Sequence, residues 1–414
     1  MEKIIIKPSK LCGTINIPPS KSLSHRAIIC ASLCKIGEST IENIILSDDI
    51  KATIEGMEKL GAVIKKNDNK LHIKRKNQII DKISINCRES GSTLRFLIPI
   101  AMNLANECTF IGHESLSNRP LNIYYKLFND NQIPYNTTNG KLPLTINNRL
   151  HHGIYNLSGS VSSQFITGLM FILPLLKENS IIRIIDKMES KGYIDMTLDI
   201  LKMFNIHIEN KGYKEFIIYG NSQYKAVNYK VEGDYSQAAF YLVANELGSE
   251  IKCIGLNKYS SQGDKKIFDI IAAYHNESNV NIEIDASQIP DLIPSLTVLA
   301  SLKDNKVTKI INAGRLRIKE TDRLRAITTE MNKLGANVKE TENGLIILGK
   351  GKLKGNATVN SWNDHRIAMS LAIAGTKCEN EIVLENYKVV NKSYPQFWCD
   401  YKSLGGKVNE LNMG

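Results

Sequence analysis

The sequence predicts an α/β protein made of repeated units, most simply two domains of three units each. Two patterns support this prediction. A helix-like stretch followed by a short hairpin recurs roughly every 60–75 residues. Six apolar segments with small, polar starts lie between these copies. The chain has 414 residues, enough for two to three domains with sizeable cores.

The helix-and-hairpin copies are clearest where a polar turn separates two alternating apolar stretches. They lie at 57–73, 127–146, 201–220 and 331–349. The turns NDN, NKG and ENG are typical of hairpins. A degraded copy is expected at 267–285, and 400–411 is expected to be half of another.

The six intervening segments are apolar almost all round, which predicts buried helices. They lie at 20–33, 90–105, 160–176, 234–247, 290–302 and 363–375. Each has a polar start that suits an N-cap. Each unit is therefore expected to combine a buried helix, an amphipathic helix and a small sheet.

Composition indicates an ordinary soluble globular protein, with 43% hydrophobic and 23% charged residues. This excludes disordered, collagenous and membrane-spanning classes. The longest nearly apolar run, 165–176, is too short to span a bilayer. The start MEKIIIKPSK lacks the apolar stretch of a secretory signal. Eight scattered cysteines without metal spacing predict reduced thiols in a cytoplasmic protein.

The net charge of +11 suits an anionic partner, either a nucleic acid or a phosphorylated metabolite. No basic stretch is interleaved with aromatic residues, which disfavours a nucleic acid. The motifs G-x-x-x-x-G-K-[ST], G-x-G-x-x-G opening a helix, H-E-x-x-H and G-x-S-x-G are absent. A nucleotide cofactor, a zinc site and a serine nucleophile elbow therefore lack support.

Cations at the polar helix starts are the first candidates for function. Lys21, Ser22 and Arg26 fall on the first turns of one apolar segment, where free N–H groups and the helix dipole favour anions. A capped helix with solvated charges is the alternative. Arg366 begins another apolar segment, where a cation opposes the dipole and a bound anion would explain it. The adjacent His365 is expected to be structural.

Other polar residues allow two interpretations each. Arg95 lies in an apolar helix, so an ion pair or a functional role would account for it equally. Ser162 to Gln164 can cap a helix or bind a ligand, and Asp291 can cap a helix or act in chemistry. Lys319, Glu320 and Arg323 can form a solvated face or an acid–base carboxylate with phosphate clamps.

Read together, these segments resemble the enolpyruvyl transferases, and most closely the members that act on 3-phosphoshikimate. The resemblance covers nearly the whole chain in the family's order. The matching motifs are PPSKSLSHRA (18–27), SGSTLRF (90–96), RP (119–120), SVSSQF (160–165), GDYSQAAF (233–240), QGD (262–264), IPDLIP (289–294), LRIKETDRL (316–324), NDHRIAM (363–369) and NKSYPQF (391–397).

The resemblance implies a two-domain α/β fold in which each domain has three repeated βαβαββ units. It also implies that the helix N-termini face an interdomain cleft. In this family the N-terminal strand belongs with the C-terminal half. The expected domains are therefore 1–16 with 234–414, carrying phosphoenolpyruvate clamps and acid–base carboxylates, and 17–233, binding most of the 3-phosphoshikimate.

The reaction implied is transfer of the enolpyruvyl (1-carboxyvinyl) group of phosphoenolpyruvate to the 5-hydroxyl of 3-phosphoshikimate. Phosphate is released by addition and elimination through a tetrahedral intermediate. This step belongs to the shikimate pathway to chorismate and the aromatic amino acids. It requires no cofactor and no metal. We expect a cytoplasmic monomer, inhibited by glyphosate, that uses no nucleic acid or membrane.

Matching positions imply the site residues. The 3-phosphoshikimate ligands would be Lys21, Ser22, Arg26, Ser162, Ser163, Gln164, Ser190, Asp291 and Lys319, with Tyr193 nearby. The phosphoenolpyruvate ligands would be Lys21, Gly91, Arg119, Gln164, Arg323, Arg366 and Lys392. The catalytic groups would be Lys21, Asp291 as base on the 5-hydroxyl, and Glu320 for the C3 proton. Coupled carboxylates can exchange roles, so the assignment of steps stays open.

Two positions depart from the family pattern. Many members have Asn where Glu89 stands, and some have Asn where Arg315 stands, so neither is placed in the site. Gly91 is kept where herbicide-insensitive members often carry Ala, which implies sensitivity to glyphosate.

Three alternatives remain. The UDP-N-acetylglucosamine enolpyruvyl transferases have Lys-Asn where this chain has Lys21-Ser22, and usually a loop cysteine that 112–119 lacks. RNA 3′-terminal phosphate cyclases need a histidine motif near the C-terminus, yet no histidine follows His365. A non-catalytic phosphate-binding protein would tolerate loss of Asp291 and Glu320, which are both present.

Overall fold

The computed structural model describes residues 2–76, 78, 80–276 and 280–411. The chain divides into two compact units. The terminal unit comprises Met1–Pro18 and Gly233–Gly414, and the central unit comprises Pro19–Glu232. These divisions lie within two residues of the crossings expected from the sequence. Each unit has its own hydrophobic core.

The strands are β1 (Lys3–Lys7), β2 (Cys12–Asn16), β3 (Ser39–Glu42), β4 (Ala62–Asn67), β5 (Lys70–Arg75), β6 (Ile80–Asn86), β7 (Ala105–Ile111), β8 (Tyr135–Thr138), β9 (Lys141–Ile146), β10 (Ile154–Leu157), β11 (Ser180–Ile184), β12 (Ile208–Lys211), β13 (Glu215–Ile218), β14 (Asn228–Lys230), β15 (Glu250–Ile254), β16 (Asn281–Asp285), β17 (Val307–Ile311), β18 (Val338–Thr341), β19 (Gly344–Leu348), β20 (Thr358–Asn360), β21 (Ile382–Glu385) and β22 (Lys407–Leu411).

The helices are α1 (Lys21–Leu33), α2 (Asp48–Lys59), α3 (Gly91–Leu104), α4 (Glu114–Ser117), α5 (Asn122–Asp130), α6 (Ser163–Ile172), α7 (Lys191–Met203), α8 (Tyr235–Glu246), α9 (Ile267–His275), α10 (Ile293–Leu302), α11 (Arg323–Lys333), α12 (His365–Gly375) and α13 (Phe397–Ser403). Short 3-10 turns lie at Leu173–Leu175, Gly263–Lys266, Pro290–Leu292, Gly314–Ile318 and Tyr387–Lys392.

The central unit repeats one four-stranded sheet three times. The strand orders are β14-β3-β5-β4, β6-β7-β9-β8 and β10-β11-β13-β12. In each sheet the first two strands are parallel and the other pairs are antiparallel. The sheets that begin with β6 and β10 follow the βαβαββ order along the chain, with the short α4 added to the first. The buried helices α1, α3 and α6 form the centre of this unit's core.

The terminal unit repeats the same sheet twice, with orders β16-β17-β19-β18 and β20-β21-β1-β22. Its third sheet has only the parallel strands β15 and β2. The half copy expected at 400–411 forms α13 and β22, and the N-terminal β1 supplies the other half of the hairpin, with Lys3 opposite Leu411.

The degraded helix-and-hairpin copy expected at 267–285 was wrong for the described part of that segment. There α9 leads to β16, which pairs in parallel with β17 and so opens the next sheet. Parallel pairing makes β16 the first strand of a new unit rather than one arm of a hairpin. Residues 277–279 of this segment lie outside the described residues.

Five of the six buried helices are capped as predicted. Each cap side chain accepts a hydrogen bond from a backbone N–H of the first turn; the caps are Ser20, Ser90, Ser162, Asp234 and Asp364. The sixth cap was wrong, because α10 follows the 3-10 turn Pro290–Leu292 without a side-chain cap. Asp291 lies inside that turn, and its carboxylate bonds arginines instead.

Among the described residues, no helix is both long enough and apolar enough to cross a membrane. All eight cysteines are free thiols.

Candidate active site

In the central unit, Lys21 is the first residue of α1 and forms an ion pair with Asp49. Lys21 Nζ lies 2.7 Å from Asp49 Oδ2. Their side chains are 16% and 7% exposed, so the pair is largely desolvated. Asp49 comes from the first turn of α2, where the helix dipole favours a carboxylate. This pair holds the Lys21 ammonium at the start of α1.

Arg26, one turn further along α1, is buried and connects α1 to α7. Its Nε donates to Thr197 Oγ1 (2.8 Å), its Nη1 to the Ser22 carbonyl (2.8 Å) and its Nη2 to the Tyr193 carbonyl (3.0 Å). The guanidinium carbon lies 5.3 Å from the centre of the Phe96 ring. Burial lowers the pKa of Arg26 to about 10, so the group stays cationic near neutral pH.

A second group in the central unit joins Gly91, Arg119 and Gln164. A Cβ on Gly91 would lie 2.9 Å from Arg119 Nη1, so the α3 backbone and this guanidinium are in close contact. Arg95 Nη1 donates to Gln164 Oε1 at 2.8 Å, and Gln164 Nε2 donates to Ser92 Oγ at 2.9 Å. Three residues predicted to bind phosphoenolpyruvate therefore gather around the start of α3.

The predicted serines lie at two more helix starts of this unit. Ser162 caps α6 by accepting from the Gln164 N–H, and Ser163 is buried as the first residue of α6. Ser190 precedes α7 in the left-handed conformation (φ 53°) and is buried. Helix starts with free N–H groups attract anions, and four of them here carry predicted ligands.

In the terminal unit, a single buried guanidinium gathers three carboxylates. Arg323, the first residue of α11, donates from Nε to Asp364 Oδ2 (2.7 Å), from Nη1 to Asp291 Oδ1 (2.9 Å) and from Nη2 to Glu320 Oε2 (2.7 Å). The Arg323 side chain is 2% exposed. The attraction of these carboxylates outweighs burial and raises its pKa well above the usual value.

Asp291 lies between two arginines. Its Oδ1 accepts from Arg323 and its Oδ2 accepts from Arg366 Nη2, each at 2.9 Å. Burial alone would raise the pKa of Asp291, but Arg366, Lys319 and Arg323 lower it well below its usual range. Asp291 is therefore ionised at neutral pH and can accept a proton.

Lys319 and Glu320 complete this cluster from the segment before α11. Lys319 is half-buried, and burial together with Arg315 and Arg323 lowers its pKa to about 8, against the opposing effect of Asp291. Glu320 is 13% exposed and pairs with Arg323. The solvated face considered for 315–327 therefore does not apply to Glu320 and Arg323.

Arg366 is anchored at the start of α12. Its backbone N–H donates to the capping Asp364, and its Nη2 also donates to Ser236 Oγ at 3.0 Å. A cation at this helix start is thus balanced by Asp291 and Asp364 on the protein. Lys392 is buried at the end of the separate 3-10 turn Tyr387–Lys392.

Sequence reasoning missed the groups that hold these cations. Asp49 and Asp364 each pair with a predicted ligand, yet both read only as acidic helix starts in the sequence. Thr197 and Ser236 likewise bind predicted arginines. The sequence signals such partners only through a cation that stands in an apolar stretch, because a buried cation requires a counter-charge or a hydrogen-bond acceptor.

The central unit provides anion-binding helix starts, and the terminal unit provides the ionised Asp291 beside buried cations; these are features that suit anion binding and proton transfer. Within the described ranges, no cluster of three or more His, Cys, Asp or Glu could hold a metal ion.

Comparisons with known proteins identify the family. Residues 5–400 match the family described as EPSP synthase (3-phosphoshikimate 1-carboxyvinyltransferase). A curated protein of that second name from Clostridium perfringens (strain ATCC 13124) is 53% identical, covering 98% of this chain and 99% of its own. One from Clostridium acetobutylicum is 53% identical, and one from Clostridium novyi (strain NT) is 50% identical, each over 100% of both chains.

Solved structures agree on the fold. An EPSP synthase from Acinetobacter baumannii superposes with a TM-score of 0.81 at 21% identity, covering 100% of both chains. A second structure of EPSP synthase from that organism gives 0.80 at 20% identity, again over both whole chains. With the sequence match and the curated relatives, this chain belongs to the EPSP synthase (3-phosphoshikimate 1-carboxyvinyltransferase) family.

Proposed function

We propose that the chain transfers the 1-carboxyvinyl group of phosphoenolpyruvate to the 5-hydroxyl of 3-phosphoshikimate in the shikimate pathway. The observation that carries the chemistry is the ionised Asp291 carboxylate, held between Arg323 and Arg366 beside Lys319. Family membership and relatives about half identical over their whole length support the reaction and do not favour the nucleotide-sugar alternative.

The reaction needs a base, an acid and neutralisation of several anionic groups. The oxygen of the 5-hydroxyl bonds to C2 of phosphoenolpyruvate, Asp291 takes the hydroxyl proton, and C3 gains a proton from Glu320. C3 then returns its proton to Glu320 as the C2–O bond to phosphate breaks and the double bond forms again, and the proton held by Asp291 passes to the departing phosphate. Lys21 completes the proposed catalytic groups as a cation that contacts both substrates.

Binding of phosphoenolpyruvate would change the pKa of the proposed base, Asp291. In the free protein Arg323 and Arg366 both bond Asp291, which holds the pKa of Asp291 well below its usual range. Phosphoenolpyruvate anions bound to these arginines would share their charge. The pKa of Asp291 would then rise toward neutrality, where a general base works best.

Each unit supplies its own ligands in this proposal. For phosphoenolpyruvate, the terminal unit supplies Arg323, Arg366 and Lys392, and the central unit supplies Lys21, Gly91, Arg119 and Gln164. For 3-phosphoshikimate, the central unit supplies Lys21, Ser22, Arg26, Ser162, Ser163, Gln164 and Ser190, and the terminal unit supplies Asp291 and Lys319. We further propose that the enzyme acts as a cytoplasmic monomer and that glyphosate inhibits it.

Phosphate release from phosphoenolpyruvate tests the proposal, with 3-phosphoshikimate or UDP-N-acetylglucosamine as acceptor. We expect release only with 3-phosphoshikimate. Asp291→Asn and Glu320→Gln should each lower kcat by roughly a hundredfold or more. Asp130→Asn, in an exposed ion pair on α5, is the matched control and should leave kcat unchanged. Release only with the nucleotide sugar would assign the reaction to the sister enzyme, and release with neither would refute both.

A further inference from the structure

The central unit contains a cavity at the C-terminal ends of its buried helices. It has a volume of about 460 Å³ and is lined by Lys35, Arg75, Gln78, Asn103, Leu104, Ile172, Leu175 and Leu176. Leu104 and Ile172 are the last residues of α3 and α6, and Lys35 lies two residues beyond α1. Volumes of this order are typical of sites for small molecules.

The cavity is separate from the candidate active site. The predicted ligands Ser22, Gly91 and Ser163 lie at the N-terminal ends of α1, α3 and α6. At about 1.5 Å per residue, helices of this length place their two ends roughly 15–20 Å apart. A small molecule in the cavity would not reach Ser22, Gly91 or Ser163.

Two side chains in the wall have unused hydrogen-bond donors. Within the part of the chain that the structure describes, Arg75 Nε and Nη1 and Asn103 Nδ2 are buried atoms without a hydrogen-bond partner. Buried donors without partners are costly and rare, above all on a cation. Burial also lowers the pKa of Arg75. The guanidinium has the donors that suit a carboxylate, and the amide in the same wall offers a further N–H.

The rest of the cavity limits the charge and shape of an occupant. Leu104, Ile172, Leu175 and Leu176 give one side of the wall an apolar surface. The helix C-termini carry partial negative charge, which suits the cations here and opposes an anion, a small dianion such as phosphate more strongly than a monoanion. A molecule with a single negative charge on an apolar body matches both the cations and the apolar residues of the wall.

We propose that this cavity binds a small monocarboxylate with an apolar body. Its carboxylate accepts hydrogen bonds from Arg75 and Asn103, and its apolar part packs on Leu104, Ile172 and Leu176. Lys35 adds a second positive charge at the wall.

Calorimetric titration of the full chain tests this site, with 4-phenylbutanoate as the probe and 4-phenylbutanamide as its neutral counterpart. We expect the acid to bind and the amide to bind at least about tenfold more weakly, because a charge-assisted bond is lost. Arg75→Met should weaken binding of the acid at least about tenfold. Lys74→Met, at the exposed neighbouring position of β5, is the matched control and should bind normally. Saturating 3-phosphoshikimate should leave the affinity unchanged.

Several results would overturn the proposal. These are absence of binding by the wild type, equal binding by Arg75→Met, equal binding of the amide, and loss of binding in 3-phosphoshikimate. Displacement of the acid by inorganic phosphate would show that a ligand of this cavity needs no apolar body, which contradicts the proposal. Phosphate release at the wild-type rate verifies that Arg75→Met is folded. If that variant does not fold, Asn103→Leu decides: it should weaken binding of the acid, and unchanged binding refutes the proposal.

Discussion

Arg323 Nε lies 2.7 Å from Asp364 Oδ2, and both side chains are almost fully removed from solvent, at 2% and 0% exposure. Asp364 also caps α12 by accepting from the Arg366 N–H. One buried carboxylate therefore fixes the position of one proposed phosphoenolpyruvate ligand and the helix start that carries another.

Asp364→Asn should destabilise the protein by about 3 kcal/mol, because it removes the fully buried one of the two carboxylates that lie 2.7 Å from the buried Arg323 guanidinium. Asparagine is still a good N-cap, so the loss reports on the ion pair rather than on the cap. Urea unfolding measures it. Asp130→Asn, which breaks the exposed pair with Lys126, should change stability by less than about 1 kcal/mol. Equal effects of the two variants would contradict this prediction.

The lowered pKa of Lys319 leads us to expect that binding of 3-phosphoshikimate depends on pH. Its pKa is lowered to about 8, so it loses its positive charge as the pH rises through 8. If Lys319 binds 3-phosphoshikimate, the dissociation constant should rise above pH 8 by up to about tenfold per unit. Titration calorimetry between pH 7 and 9.5 measures this. Lys319→Arg should remove the rise, because arginine stays charged. A flat profile in the wild type would exclude the role.

Gly91→Ala should reduce inhibition by glyphosate and raise KM for phosphoenolpyruvate. The added Cβ would lie 2.9 Å from Arg119 Nη1, so this proposed ligand has to shift. Displacement of a binding group costs between about tenfold and a hundredfold. Inhibition curves for wild type, Gly91→Ala and Gly91→Ser should show progressively weaker inhibition. A wild-type enzyme unaffected by millimolar glyphosate would refute the proposed sensitivity.

The lowered pKa of His25 leads us to expect that the free energy of unfolding depends on pH. Burial lowers the pKa of His25 to about 3, and its Nδ1 bonds Thr53 Oγ1 at 2.7 Å. Between pH 6.5 and 3 the unfolded chain binds a proton here that the folded chain does not, so stability falls as the pH falls. From pH 7 to 5 this amounts to about 2 kcal/mol.

The measurement is urea unfolding at both pH values for His25→Gln and for the exposed control His151→Gln. His25→Gln should remove about 2 kcal/mol of the difference between the two pH values, and His151→Gln should keep it. The same pH dependence in both variants would show that His25 is not its source.

The repeated fold could be predicted from the sequence because its signals are local. Apolar helices with polar starts and hairpins with polar turns leave patterns within about twenty residues. The exceptions are long-range pairings. The strand 281–285 resembles a hairpin arm until its parallel partner β17 is known. Likewise 407–411 shows half a hairpin because its partner β1 lies at the other end of the chain, with Lys7 opposite Lys407 and Lys3 opposite Leu411.

The candidate site was only partly predictable for the same reason. The resemblance picked out Arg323, Arg366 and Asp291, but not Asp364 and Ser236, which also bond the two arginines. Asp364 follows an ordinary capping pattern, and nothing local indicates that its second oxygen faces a guanidinium 41 residues away in the chain. Asp291 likewise appears as a cap until the two arginines are placed around it.

The position of β1 between β21 and β22 sets an order of events during synthesis. The central unit is one uninterrupted stretch of chain and can fold while the ribosome is still translating the remainder. The terminal unit cannot, because β1 emerges first and both its partner strands emerge last. At about 5–20 residues per second, β1 waits roughly 20 to 80 seconds for β21. During that time the apolar Ile4 and Ile6 lack their final neighbours, so a nascent chain stalled before β21 should be a substrate for chaperones.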